Sequence, residues 1–217
     1  MKRRGRPPSF SRQELVTAAR QLGPDGIGLQ PVAAALGVSR TSLYWHVRDQ
    51  DELGELVLAE LVHEASTGDW APPEDAGWEV WLDAYARSLR TTLLAGGAWL
   101  RYGSGRFFYS RRTLRNADHL LAALLAAGFA IEEASHAFEF VSEVVQANVR
   151  ATTGADLPRE AGRDSLLAEL RSLDADDVPN LRHAVVVSDG TSHDRQFEYD
   201  LATALAGIAA RAGVEQR

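Results

Sequence analysis

The nine residues from Arg40 to Arg48, RTSLYWHVR, set hydrogen-bond donors and aromatic rings side by side. Arg40 carries a planar fork that matches the O6 and N7 acceptors of guanine, and Thr41 and Ser42 carry hydroxyls suited to base edges. Tyr44 and His46 can donate to phosphate oxygens, and Arg48 adds a second positive charge. Leu43 and Val47 lie four residues apart and supply one apolar face, enough to anchor a short helix while the rest of it faces outward. Tyr44 and Trp45 would waste apolar area on a free surface. Tyr44 is therefore expected against DNA, whereas Trp45 either meets DNA or completes a small core.

A second basic cluster precedes it. Lys2-Arg3-Arg4-Gly5-Arg6-Pro7-Pro8 holds four positive charges, and its prolines block a helix, so residues 1–10 are expected to form an extended basic arm. Arg4-Gly5-Arg6-Pro7 resembles the core of an AT-hook, which would put Arg4 and Arg6 in a narrow minor groove. Plain attraction to phosphate explains the same four residues.

Other constellations carry less. Ser188, Asp189, His193 and Asp194 superficially suggest a hydrolytic triad, but triad groups are assembled from separated chain positions. The segment reads as an Asp-Gly turn before a helix cap, and no enzyme is expected. His183, His193 and Asp194 lack recognised metal-ligand spacing, and no metal or cofactor is expected. The chain has no cysteine, which removes disulfides and thiolate chemistry.

These groups need a scaffold, and 217 residues suffice for one small domain and a larger one. The net charge of −7 looks wrong for a nucleic-acid binder until it is divided. Residues 1–48 hold eight Lys/Arg against two Asp/Glu, and the rest hold fifteen against twenty-eight. That asymmetry implies a basic end facing nucleic acid and an acidic remainder. No apolar run approaches the ~18 residues of a membrane span, so no membrane partner is expected and the expected location is cytoplasmic, on the nucleoid.

Ser11 and Glu14 form a capping-box pattern ahead of Leu15, Ala18, Ala19 and Leu22 at helical spacing, and Gly23-Pro24-Asp25-Gly26 ends that helix. Gly28 starts a second helix, with Val32, Ala33 and Leu36 inward and Pro31 tolerated in its first turn. Gly37 permits a tight turn, and Ser39 caps the third helix. Asp49 and Glu52 cap a fourth, with Leu53, Leu56, Val57 and Leu61 on a stripe. The whole reads as a helix-turn-helix DNA-binding domain over residues 11–64.

This segment resembles the DNA-binding domain of TetR-family transcriptional repressors: Leu36-Gly37-Val38, the LYWHV run and Asp51-Glu52-Leu53 all stand at the family's spacing. The resemblance implies that Gln30, Arg40, Thr41 and Ser42 face bases, with Tyr44, Trp45, His46 and Arg48 on the backbone. Three residues depart from the pattern. Gly28 replaces a capping Ser or Thr, Gln30 replaces a frequent base-reading arginine, and Gln50 replaces the usual lysine heading the fourth helix.

Beyond the break Thr67–Pro73, residues 69–217 show no strand alternation, so an all-α fold is expected, and the family resemblance implies that this second part binds an effector and dimerises. Helices are expected over Trp78–Leu94, Leu114–Ala127, Ile131–Arg150, Ser165–Leu173 and Asp194–Arg211. Val185-Val186-Val187 could be a strand but has no visible partner. Trp81, Tyr85, Trp99, Tyr102, Phe107 and Phe138 are candidate linings for a small hydrophobic or amphipathic effector, with His119, Ser142 and Gln146 to orient it. The family resemblance implies a homodimer through helices 131–150 and 194–212, a palindromic operator in double-stranded DNA, and repression relieved by the effector. A regulator without a small-molecule effector, or an activator, fits the same residues.

Overall fold

The computed structural model describes residues 10–65, 71–103, 111–153, 159–174, 176–188 and 192–215. Every regular element among them is helical. The chain divides into two units, one of residues 1–69 with 91–114, the other of residues 70–90 with 115–217.

In the first unit, α1 (Arg12–Leu22) begins on a complete capping box. The Ser11 hydroxyl accepts the Glu14 N–H, and the Glu14 carboxylate accepts the Ser11 N–H at 2.7 Å. Two of the helix's orphan donors are thereby satisfied. Leu15, Val16, Ala18 and Ala19 turn inward, and Gly23 leaves the helix at a φ of 74°. Helix α2 (Leu29–Ala35) starts at Gly28 without a side-chain cap. Gly37, at a φ of 66°, makes the left-handed step of the turn that a Cβ would strain.

Helix α3 (Arg40–Leu43) is shorter than the sequence predicts. It is capped by Ser39 and gives way to a turn over Tyr44–His46, yet Val47 N–H still reaches the Leu43 carbonyl at 3.0 Å. The anchoring pair survives this change, since Leu43 and Val47 are both buried. Helix α4 (Gln50–Ala65) is capped by Asp49, whose carboxylate accepts the Glu52 N–H at 2.9 Å.

The core of this unit joins Leu15, Val32, Leu43, Leu53, Val57 and Leu58 to a residue from much later in the chain, Trp99. Trp99 belongs to a 3-10 segment, Gly97–Tyr102, which packs on α4. Its close seat depends on missing side chains. A Cβ on buried Gly54 would stand 2.2 Å from Cγ of Tyr102, and one on Gly96 would stand 2.8 Å from Leu100. The segment follows α5 (Trp78–Gly96) without a break, and the division between units falls inside that helix, after Arg90.

The second unit contains the start of α5, most of α6 (Arg111–Ala126), and α7 (Ile131–Thr153), α8 (Arg159–Ser172), α9 (Pro179–Ser188) and α10 (His193–Glu215). Val185–Val187 lies in α9, so the strand alternative is corrected: their N–H groups bond within the helix, and no strand stands among the described residues. Gly128, at a φ of 97°, follows α6, where Phe129 N–H returns to the Leu124 carbonyl. Helices α7 and α10 pack against each other, burying Val141, Val145 and Val149 of the first and Phe197, Leu201 and Ile208 of the second.

A polar seam also joins α5, α7 and α10. Arg90 donates to Asn148 at 2.8 Å and Asp194 at 2.7 Å, and its guanidinium lies 4.8 Å from the Phe197 ring centre. Arg87 forks onto Glu198 at 2.6 and 2.8 Å while its Nε holds Asp83. These bonds to Glu198 and Asp83 raise the Arg87 pKa, and the same guanidinium lowers that of Glu198.

Candidate nucleic-acid interface

Four of the predicted DNA-facing residues come together in the first unit. Gln30, Arg40, Tyr44 and Arg48 line one shallow concavity of about 330 Å³, together with Gly28, Pro31 and Gln50. Helix α2 supplies Gln30, α3 supplies Arg40, and the turn after α3 supplies Tyr44. Gln30, Thr41 and Arg40 are exposed. Arg40 lies 5.9 Å from the centre of the Tyr44 ring, one helical turn away, so the two form a cation–π pair at the surface.

Trp45 settles the alternative left open by its residue type. It is 75% exposed, and Tyr44 is 49% exposed, while Leu43 beside them is fully buried. The anchor is therefore Leu43 and Val47 alone, and both aromatic rings stand outside the core.

Ser42 and His46 are more engaged than their neighbours. The Ser42 hydroxyl lies 2.9 Å from that of Ser39, and its N–H donates to the same oxygen, so it helps hold the start of α3. The His46 ring packs 4.8 Å from buried Phe10, and its Nε2 is buried without a partner among the described residues. A phosphate contacted by this ring would have to be reached through Nδ1. Arg4 and Arg6 lie outside the described residues.

Arg48 is 82% exposed along its side chain, yet its Nε donates to Glu52 at 3.0 Å. Glu52 also accepts the Arg48 backbone N–H at 2.6 Å. The backbone bond first, then the side-chain one, hold the Glu52 carboxyl below its ordinary range, and the side-chain bond to Glu52 raises the Arg48 pKa. The guanidinium is thus steered by one carboxylate while most of it stays open to solvent.

The effector candidates divide between the two units. In the second, Trp81 stacks with His119 at 5.8 Å, and Tyr85, one turn along α5, stacks on Phe138 at 4.6 Å and shares a 2.7 Å hydrogen bond with Ser142. Gln146 is exposed one turn beyond Ser142. Trp99 and Tyr102 instead sit in the first unit against α4, and Phe107 lies outside the described residues. Asn116 was not among the candidates. It is 7% exposed, and its amide nitrogen is buried without a partner among the described residues. Its signal was in the spacing: Asn116, Leu120 and Leu124 recur every four residues, which puts the amide on the buried stripe of α6.

Among the described residues no group of three His, Asp or Glu side chains is placed to hold a metal. Asp194 is committed to Arg90, and the His193 carbonyl accepts the Asn148 amide. Asp189 lies outside the described residues. No helix among them is long and apolar enough to cross a membrane.

Helices alone make up the regular elements among the described residues, with a helix-turn-helix in the first unit, and comparison with known proteins gives the family. The family described as Tetracyclin repressor-like, C-terminal domain, matches residues 71–212. An HTH-type transcriptional regulator of Saccharopolyspora erythraea is 31% identical, over 96% of this chain and 88% of that one. The class E tetracycline repressor protein of Escherichia coli is 27% identical, over 87% of this chain and 84% of that one. The solved structure of the Streptomyces coelicolor TetR family protein ActR in complex with actinorhodin is 27% identical, with a TM-score of 0.70 over 94% of this chain and 98% of that one. The chain belongs to the TetR family of transcriptional regulators.

Proposed function

We propose that two copies of this chain pair through α7 and α10 and bind a palindromic operator as a repressor, released by a small hydrophobic or amphipathic effector held in the second unit. The observation that carries the DNA-reading half is the contrast within one turn of chain. Leu43 is fully buried, while Trp45 and Tyr44 are 75% and 49% exposed beside Arg40. Two large rings left in water are costly unless something covers them, and the neighbouring donors suit a phosphate backbone and base edges. Gln30, Arg40 and Thr41 would read bases, with Ser42 at the start of the same helix. Tyr44, Trp45, His46 and Arg48 would hold the backbone, with Arg4 and Arg6 adding charge from the arm.

Gln30 suits adenine, whose N6 and N7 pair with an amide, so the operator is expected to carry adenine where an arginine would select guanine. A two-fold dimer must set its two recognition segments about 34–36 Å apart to meet successive major grooves. The exposed Phe140 of α7 and Tyr199 of α10 support pairing through these helices.

For the effector, the pairs Trp81–His119 and Tyr85–Phe138, with Ser142, supply rings and a few polar groups. A solved relative is in complex with actinorhodin, which supports a small-molecule effector here. Release needs only that the ligand favour the state that binds DNA poorly. A coupling of ~1–3 kcal/mol gives roughly 5–150-fold weakening.

The test is selection of bound duplexes from a random pool, followed by titration between ~50 and ~200 mM salt. A palindrome bound with a steep salt dependence is expected. No selected sequence, or a salt dependence no steeper than that of one charge, would refute the reading.

A further inference from the structure

We propose that Tyr102 is a positioning residue for operator binding: its ring fills the notch at Gly54, and its hydroxyl ties the α1–α2 turn to Gln50 on the operator-facing surface. The inference rests on the operator reading given above and adds a determinant outside the helix-turn-helix sequence.

The ring has no freedom to sit elsewhere without opening a gap. A Cβ on Gly54 would meet Tyr102 Cγ at 2.2 Å and both Cδ atoms within 2.6 Å, so the ring lies against the bare backbone of α4. Leu58, fully buried on the same helix, closes the seat, standing 3.0 Å from a Cβ on Gly96 and 3.1 Å from one on Gly103. Held there, the hydroxyl donates to the Pro24 carbonyl at 2.9 Å and accepts from Gln50 Nε2 at 3.4 Å. Arg101 grips the next residue of the same turn, donating to Asp25 at 2.7 Å with its guanidinium 5.8 Å from the Tyr102 ring centre. Two adjacent residues of the 3-10 segment thus hold the turn that leads into α2, the helix carrying Gln30.

Gln50 makes this more than packing. It lines the concavity shared by Gln30, Arg40, Tyr44 and Arg48, and its Oε1 would stand 3.8 Å from a Cβ on Gly28. The amide therefore spans from the start of α2 to the 3-10 segment. A lysine at this position would reach a phosphate by charge from many rotamers, whereas a neutral amide contributes only when oriented. Nε2 carries two hydrogens, and fixing one on the Tyr102 hydroxyl leaves the other to be directed at DNA.

The full-length chain and its selected operator duplex test this. Tyr102→Phe keeps the ring in the notch and deletes both hydroxyl bonds. Operator affinity should fall roughly 3- to 10-fold, the scale of one to two neutral hydrogen bonds. The decisive readout is a cycle with Gln50→Ala. That change should itself weaken binding, and in its background Tyr102→Phe should lose most of its effect. A merely structural tyrosine would lower the melting temperature while the two losses in affinity multiplied. Unchanged affinity in Tyr102→Phe, multiplying losses, or full affinity in Gln50→Ala would each overturn the inference alone. If Tyr102→Phe proves misfolded by circular dichroism, the Gln50→Ala measurement still decides. Failure of the unaltered chain to bind any selected duplex would overturn the operator reading, and this inference with it.

Discussion

Replacing Gly54 by alanine sets two known effects against each other. In the middle of α4, a Gly→Ala change alone should stabilise by about 0.5–1 kcal/mol, because glycine loses more freedom on folding. At this position the new Cβ would meet Tyr102 Cγ at 2.2 Å, a separation that side chains essentially never adopt, so the ring or the helix must shift. Overpacking of this kind costs ~1–3 kcal/mol. The net expectation is a loss of roughly 0–2.5 kcal/mol, and for a chain this long each kcal/mol moves the melting temperature by about 2–4 °C.

The sign should reverse once the ring is removed. In a Tyr102→Ala background the three ring atoms that crowd the new Cβ are gone, and Gly54→Ala should stabilise by about 0.5–1 kcal/mol. The coupling between the two positions is then ~1–3 kcal/mol, well above the ~0.5 kcal/mol scatter of independent sites. Thermal unfolding followed by circular dichroism on the four proteins measures it. A stabilising Gly54→Ala in the unaltered chain, or additive effects, would refute the close seat of the 3-10 segment on α4.

Trp45→Ala should leave the melting temperature unchanged within the range of surface changes, about 0.5 kcal/mol, while lowering operator affinity; Leu43→Ala should cost ~2–5 kcal/mol in denaturant unfolding. Glu52, held below its ordinary value of 4.5, contributes stability that is present above that pH and lost as pH falls through the depressed value. Melting temperature measured from pH 6 to 3 should therefore fall less steeply at the acid end in Glu52→Gln than in the unaltered chain. Tyr85→Phe removes one side of the 2.7 Å bond to Ser142 and should destabilise by about 1 kcal/mol in chemical denaturation.

The first helices were legible because their signals are local. Ser11 with Glu14, Gly37 at a positive φ, and Asp49 ahead of α4 each satisfy a backbone group within four residues. The anchoring role of Leu43 and Val47 was likewise readable from their spacing. What periodicity could not show was how far α3 continues, because the same pair fits either a longer helix or a short helix with a turn. Nor could residue type decide Trp45, since a tryptophan suits a core and a binding face equally.

Trp99 and Tyr102 looked like ligand-lining aromatics for the same reason. Their placement on α4 depends on Gly54, more than forty residues away, and only the folded chain joins the two. The cluster of Trp81, Tyr85, His119, Phe138 and Ser142 was foreseen as composition, but its pairings were not, because they link three helices distant in sequence. Asn116 was overlooked because an isolated asparagine on a helix reads as a surface residue until its neighbours at four-residue spacing are counted.

The seat formed by Gly54 and Leu58 bears on how recognition heads can be exchanged between relatives. A chimera joined in the polar stretch after α4 would transplant a helix-turn-helix but leave behind the Trp99 and Tyr102 that complete its core. The foreign α4 would need a residue without a side chain where Gly54 stands, and a leucine-sized one where Leu58 stands. Exchange of the whole recognition head, α4 included, is therefore a two-segment event: α4 and residues 96–103 must be transferred together, even though some thirty residues of sequence separate them.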